Sequence, residues 1–235
     1  MADSLRALNQ EIIACRKCPR LVAWREEVAR VKRKAYRDQE YWGKPVPGFG
    51  DSNARVLVVG LAPGAHGSNR TGRAFTGDAS GGFLYPALYR AGFANQPTAV
   101  SRADGLVLND LYIVASARCV PPDNKPTPEE LSNCQPYLER DLQILKPKVI
   151  VCLGRIAFER ILKMFSVRNS SWKFGHGATY RMDDGVWILC SYHPSQQNTL
   201  TGKLTVTMFD EIWAKARDLL QAEPEVIDTA NKASV

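Results

Sequence analysis

The residues able to do chemistry in this chain fall into one cysteine set and three loops. Cys15 and Cys18 are separated by two residues, a spacer that lets two thiolates converge on one metal centre. Cys119 and Cys134 follow far along the chain, with fourteen residues between them. Cys119 is expected to end a strand and Cys134 to lie about two turns into the next helix, so the chain can fold this pair back beside the first. Zinc and an iron–sulfur cluster both suit four such thiols, and spacing alone does not separate them. Cys152 and Cys190 lie within the apolar runs VIVCLG and WILCSY, where cysteine behaves as a small core hydrophobe.

The first loop runs from Gly60 to Asp78, GLAPGAHGSNRTGRAFTGD. Its glycines permit close backbone approach, and its N–H groups can meet a phosphate or a base edge. It is not a P-loop, because Gly67 and Gly72 are followed by Arg73-Ala74 where a lysine and a hydroxyl residue are required. The second loop, Pro121 to Thr127, contains Asn124, whose amide both donates and accepts. Asp-Asn in a Pro-rich turn serves equally well with no ligand. The third, His193-Pro194-Ser195-Gln196-Gln197-Asn198, sets an imidazole beside amides and hydroxyls. His66 belongs with the first loop, and His176, in FGHGATY, has no assigned role.

Positioning these loops requires strands that end in them. The continuous apolar runs Arg55–Leu61, Tyr112–Arg118, Lys148–Leu153 and Val186–Tyr192 read as buried parallel strands, each running into a loop rich in Gly, Pro or His. Helices fill the gaps. Residues 4–14 form a short amphipathic helix, and Thr127-Pro128-Glu129-Glu130 is a capping box opening a helix to about Lys146. Arg155–Phe165 and Lys203–Leu220 have helical spacing, and Asp78 stands at the N-cap of Ala79–Gly92. The pattern is α/β, a single domain over residues 1–221 with a four-stranded parallel sheet flanked by helices. Residues 222–235 are expected to be a flexible tail.

Composition narrows the function class. A formal charge of +7 favours an anionic partner. Residues 14–44 concentrate it, with ten basic groups against four acids, and Trp24, Tyr36, Tyr41 and Trp42 interleaved. Such a stretch is either a solvated helix face or a phosphate-tracking surface. No run of about twenty apolar residues occurs, so no membrane span is expected. The acidic, non-apolar start MADSLRALNQ argues for a reducing compartment, where cysteines bind metal rather than pair.

Several segments in order, CRKCPRL, PVPGFGD, GLAPGAHGSNRTGRAFTGDASG, CVPPDNKPTPEEL and YHPS with Asn198, resemble the iron–sulfur uracil-DNA glycosylases of family 5 (type b) from about Cys15 to Leu220. The resemblance implies a [4Fe–4S] cluster on Cys15, Cys18, Cys119 and Cys134. It implies that Phe75 stacks on a flipped base, that Asn124 reads its polar edge (O4 and N3–H of uracil), and that His193 stabilises charge on the leaving base. Gly60, Leu61, Ala62, Pro63, Gly64, Ser195 and Asn198 would complete the substrate pocket. Family 4 enzymes carry an acidic residue where this chain has Leu61, so Asp78 becomes the expected water-holding carboxylate. The implied partner is double-stranded DNA with uracil or another damaged base such as hypoxanthine, met by a monomer at the cytoplasmic nucleoid. A metal-bearing DNA-binding module without catalysis is the alternative, and it leaves Asp78, Asn124 and His193 unexplained.

Overall fold

The computed structural model describes residues 4–167 and 171–222, so the expected tail lies, beyond Ala222, outside the described residues. Four strands pair in parallel: β2 (Val56–Gly60), β3 (Leu111–Ala115), β4 (Val149–Leu153) and β6 (Trp187–Ser191). These are the runs expected from sequence, with ends moved by at most three residues, β3 starting one residue earlier at Leu111 and ending at Ala115. Two short antiparallel edges extend the sheet to six strands: β1 (Phe49–Gly50) beside β3, and β5 (Thr179–Arg181) beside β6. The order is β1-β3-β2-β4-β6-β5. The added edges are brief and half-buried, so they lack the apolar run that marks an inner strand.

Strand alternation divides the core into two layers. Val56, Val58, Ile113, Val151 and Leu189 face α4 (Ala79–Arg90) and α8 (Val206–Gln221), where Leu84, Leu88, Phe209 and Trp213 pack. Leu57, Val59, Val114, Ile150, Cys152, Ile188 and Cys190 face the other way, towards α1 (Leu5–Ala14), α5 (Pro128–Leu145) and α6 (Arg155–Met164). Cys152 and Cys190 are thus fully buried in the second layer.

Local signals set the helix starts. Thr127 and Glu130 close the capping box reciprocally, with Pro128 at the first helical position. The terminal helix begins at Val206, capped by Thr205, rather than at Lys203, because residues 201–204 form a turn. α2 (Pro19–Val31) occupies part of the basic stretch and buries Leu21, Val22, Arg25 and Val28. Two further short helices, α3 (Ser68–Thr71) and α7 (Gln196–Leu200), lie inside the first and third loops.

Buried ion pairs hold the long loops down. Arg73 grips Asp104 through both terminal nitrogens, at 2.8 and 2.6 Å, with both side chains almost fully buried. Burial would raise the Asp104 carboxyl. The Arg73 bonds and the N–H groups of Leu106, Val100 and Ser101 outweigh it and hold the group well below the usual carboxylate range. Its stabilisation is therefore present above about pH 4, the ordinary Asp value, and is lost only as pH falls towards the depressed one. Asp104→Asn should lower unfolding stability at pH 7 by about 3–5 kcal/mol, because it leaves a buried guanidinium unpaired. Denaturant titrations should show the gap from wild type closing in strong acid.

Candidate active site

All four parallel strands end at one edge of the sheet, and the three loops singled out from sequence gather there. The first is stitched to the chain after β3: Gly60 O accepts from the Ser116 N–H (2.9 Å) and hydroxyl (3.0 Å), and Leu61 O from the Ala117 N–H (2.9 Å). Cys119 stands four residues beyond the end of β3, in this turn rather than in the strand. Leu61, Ala62 and Gly64 are half-buried, and Pro63 is buried.

Phe75 occupies the centre. It holds a left-handed backbone, φ 50°, uncommon for an aromatic residue. Its N–H donates to Ser68 Oγ at 3.1 Å. The ring lies over Gly60, where an added Cβ would sit 3.1 Å from Cζ, and against His193, with ring centroids 5.8 Å apart. Gly60, Phe75 and His193 therefore meet.

Asp78 fills the cap role that the sequence offered, and its second oxygen faces the first loop. Its Oδ1 accepts from the Gly81 N–H at 2.9 Å, capping α4. Its Oδ2 turns into the first loop, so close that a Cβ on Gly67 would fall 1.8 Å away and one on Gly64 3.2 Å away. Burial pushes the carboxyl up, and the N–H groups of Gly81 and Ser80 and the charge of Arg70 oppose it.

The His193 loop is braced from within. Ser195 caps α7, accepting from the Asn198 N–H at 3.4 Å, and Asn198 Nδ2 donates to His193 O at 2.9 Å. Burial pushes the imidazole down to about 4, so it is neutral at pH 7. Asn124 is exposed in the Pro122–Asn124 turn, where it and Asp123 both take positive φ. It shares the sheet edge but does not touch Phe75. His176 is structural: it accepts from the Tyr192 N–H at Nδ1 (3.1 Å), so Nε2 carries the proton and donates to Met208 O (3.2 Å).

Several residues here gave no signal in the sequence. Arg70, buried within the first loop, donates to His66 O, Gln39 Oε1 and Gly77 O, and stacks on Tyr36. His66 meets the Tyr41 hydroxyl at 3.1 Å, and that hydroxyl accepts from the Arg33 N–H. The basic stretch thus divides. Arg16, Arg20 and Arg30 are paired with Glu26, Glu130 and Glu27, and Arg25 is buried. Arg33, Lys34 and Arg37 are exposed beside the first loop.

Cys15, Cys18, Cys119 and Cys134 line a single cavity with Arg25 and Arg118. Each sulfur meets a polar partner: Arg25 donates to Cys119 (3.0 Å), the Arg118 N–H to Cys134, Asn133 to Cys18, and Tyr137 is bonded to Cys15. Arg25 Nε and Arg118 Nε and Nη1 are buried without a protein acceptor among the described residues. Donors converging on sulfur and cationic groups left over describe a cavity suited to an anionic, thiolate-ligated guest. Burial pushes the Cys119 thiol up, and the Arg25 guanidinium opposes that shift.

This chain, an α/β sheet with a glycine loop, a half-buried carboxylate and a strand-end histidine at its carboxyl edge, matches the family model described as the uracil DNA glycosylase superfamily over residues 47–217, and it belongs to that superfamily. Within it, the chain groups with the type-5 uracil-DNA glycosylases. It is 55% identical to the one from Thermus thermophilus over 91% of this chain and 97% of that protein. It is 44% identical to the one from Pyrobaculum aerophilum, covering 87% of this chain and 88% of the relative. A type-4 uracil-DNA glycosylase from Archaeoglobus fulgidus stands further off, at 32% over 82% of each chain.

The neutral imidazole gives a direct check. In an NMR titration, the His193 ring should stay uncharged from pH 7 to pH 5 and titrate at about 4. A midpoint near 6.5, the ordinary histidine value, would show that its surroundings are wet.

Proposed function

We propose that the protein flips uracil out of duplex DNA and hydrolyses its bond to deoxyribose, a monofunctional glycosylase step that opens base excision repair. It is a hydrolase of N-glycosyl bonds. The observation that carries the reading is the meeting of Phe75, His193 and the half-buried Asp78 carboxylate around one glycine loop. A catalytically idle binding module has no need of a desolvated carboxylate there.

The target base is unreachable inside the stack, so binding must offset a few kcal/mol of unstacking, less at a G·U mismatch. Phe75 takes the flipped uracil on its ring face, and Asn124 reads O4 and N3–H. Leu61, Ala62, Pro63 and Gly64 wall the pocket, while Ser195 and Asn198 hold the His193 turn against the DNA backbone. As the C–N bond lengthens, positive charge grows on the sugar and negative charge on uracil O2. Neutral His193 donates to O2 along with backbone N–H groups of residues 60–65, in the manner of an oxyanion hole. Asp78 holds the water that captures the sugar. Its raised carboxyl makes it a better proton acceptor than a free aspartate, and activity should fall as pH drops through that value. The water route needs no lysine and no Schiff base.

Cys15, Cys18, Cys119 and Cys134 would hold a [4Fe–4S] cluster. The four cysteines share one cavity with Arg25 and Arg118, whose unpaired guanidinium nitrogens suit a group of net negative charge. Such a group would tie α2 to the turn before α5 and supply no step of the hydrolysis. Arg33, Lys34 and Arg37 provide the phosphate-facing surface. The protein would act as a monomer on duplex DNA, at the cytoplasmic nucleoid. No helix among the described residues is long and apolar enough to cross a membrane.

Leu61 in place of a carboxylate removes one charge and one polar contact from the pocket wall, so hypoxanthine and 5-hydroxymethyluracil should also be excised, more slowly than uracil. Single-turnover assays on duplexes holding each base, followed by alkali, test this. His193→Ala should lose about 100- to 1,000-fold in rate, and Asp78→Asn should be severely impaired. Wild type inert on uracil would overturn the reading, and full activity in Asp78→Asn would reduce that residue to a helix cap.

The purified protein should be brown and contain iron. Cys119→Ser should lose the colour and Cys152→Ser should keep it, while stoichiometric zinc without iron would exclude the cluster.

A further inference from the structure

One buried residue joins the four-cysteine cavity to the glycine loop. Arg25 is 2% exposed in the middle of α2. Its guanidinium donates to Cys119 Sγ at 3.0 Å and to Cys15 O at 3.2 and 3.3 Å. Its main-chain carbonyl accepts from Asn69 Nδ2 at 3.2 Å. Asn69 is fully buried in α3, a helix of four residues with no stability of its own. The Asn69 N–H donates to Gly64 O at 3.0 Å, and its carbonyl accepts from the Gly43 N–H at 3.1 Å. Gly64, in turn, lies against the Asp78 carboxylate.

We propose that Arg25 and Asn69 are positioning residues that fix the glycine loop to the four-cysteine site, so that filling that site sets where Gly64 and Asp78 stand. The inference rests on the excision and cluster readings above. Thiolates turn the Arg25 contact into a charge-assisted bond, stronger and more directional than one to a neutral thiol. That fixes the α2 backbone at Arg25, and the Asn69 amide carries the position across to the loop. The Arg25–Asn69 bond joins α2 to α3 directly, beside the Leu21, Val22 and Val28 side chains that α2 buries. A shift of about 1 Å in a substrate-facing loop costs on the order of 100-fold in rate.

The test uses the purified full-length holoprotein and Asn69→Ala, Arg25→Met and Arg25→Lys. Iron content, duplex affinity, KM and kcat are measured on a uracil duplex. Asn69→Ala should keep its iron and its KM while kcat falls by about 10- to 100-fold. Arg25→Met should lose kcat and hold its iron less well, and Arg25→Lys should recover part of both. Asn69→Ala with wild-type kcat overturns the proposal, as does a loss that falls on KM alone. Should the variants fail to fold, amide exchange on wild type before and after iron chelation decides. Faster exchange confined to residues 60–67 and their α2 and α3 partners supports the link, and protection lost evenly or nowhere overturns it. Wild type without iron defeats the cluster reading while the Asn69 kinetics still stand. Wild type without excision defeats the activity reading while the exchange experiment still reports on the link.

Discussion

Parallel strands cannot be joined by tight turns, and this constraint organises the molecule. Each of β2, β3, β4 and β6 needs a crossover that returns the chain to the same end of the sheet, so helices cover both faces and loops collect at the carboxyl edge. The candidate site residues come from three distant stretches, around 60–78, 119–124 and 193–198, and are carried to that edge for that reason. The sheet supplies rigidity, and the loops supply polarity.

The loops in turn rely on buried arginines. Arg70, Arg73 and Arg25 each collect main-chain or acidic acceptors from different segments, and a lysine could not reach as many at once. The glycine loop is therefore held by guanidinium forks rather than by an apolar core of its own. Asp78 gains its desolvated state from the same arrangement, because glycines at 64 and 67 let the backbone close over the carboxylate.

Much of this was legible in the sequence. The inner strands announce themselves as apolar runs, and the Thr127 cap box and the Asp78 N-cap are local signals that tertiary context left intact. The grouping of the four cysteines followed from strand and helix order, although Cys119 proved to lie in a turn. Other features were hidden. β1 and β5 have two and three half-buried residues and no periodicity to display. α2 carries so much charge that its buried stripe is masked, and Arg25 reads as one more surface cation because burial is a property of neighbours distant in sequence. Ser195 and Asn198 read as ligand groups, and each also makes a bond that braces the turn carrying His193.

Phe75 shows what such restraint achieves. Its backbone sits in a region that costs of order 1–3 kcal/mol, and Ser68, Gly60 and His193 keep it there with no DNA present. The ring has thus surrendered its rotational and backbone freedom during folding. In the role proposed for Phe75, an incoming base would meet a ring already held in place, with the ordering entropy that would weaken association settled beforehand.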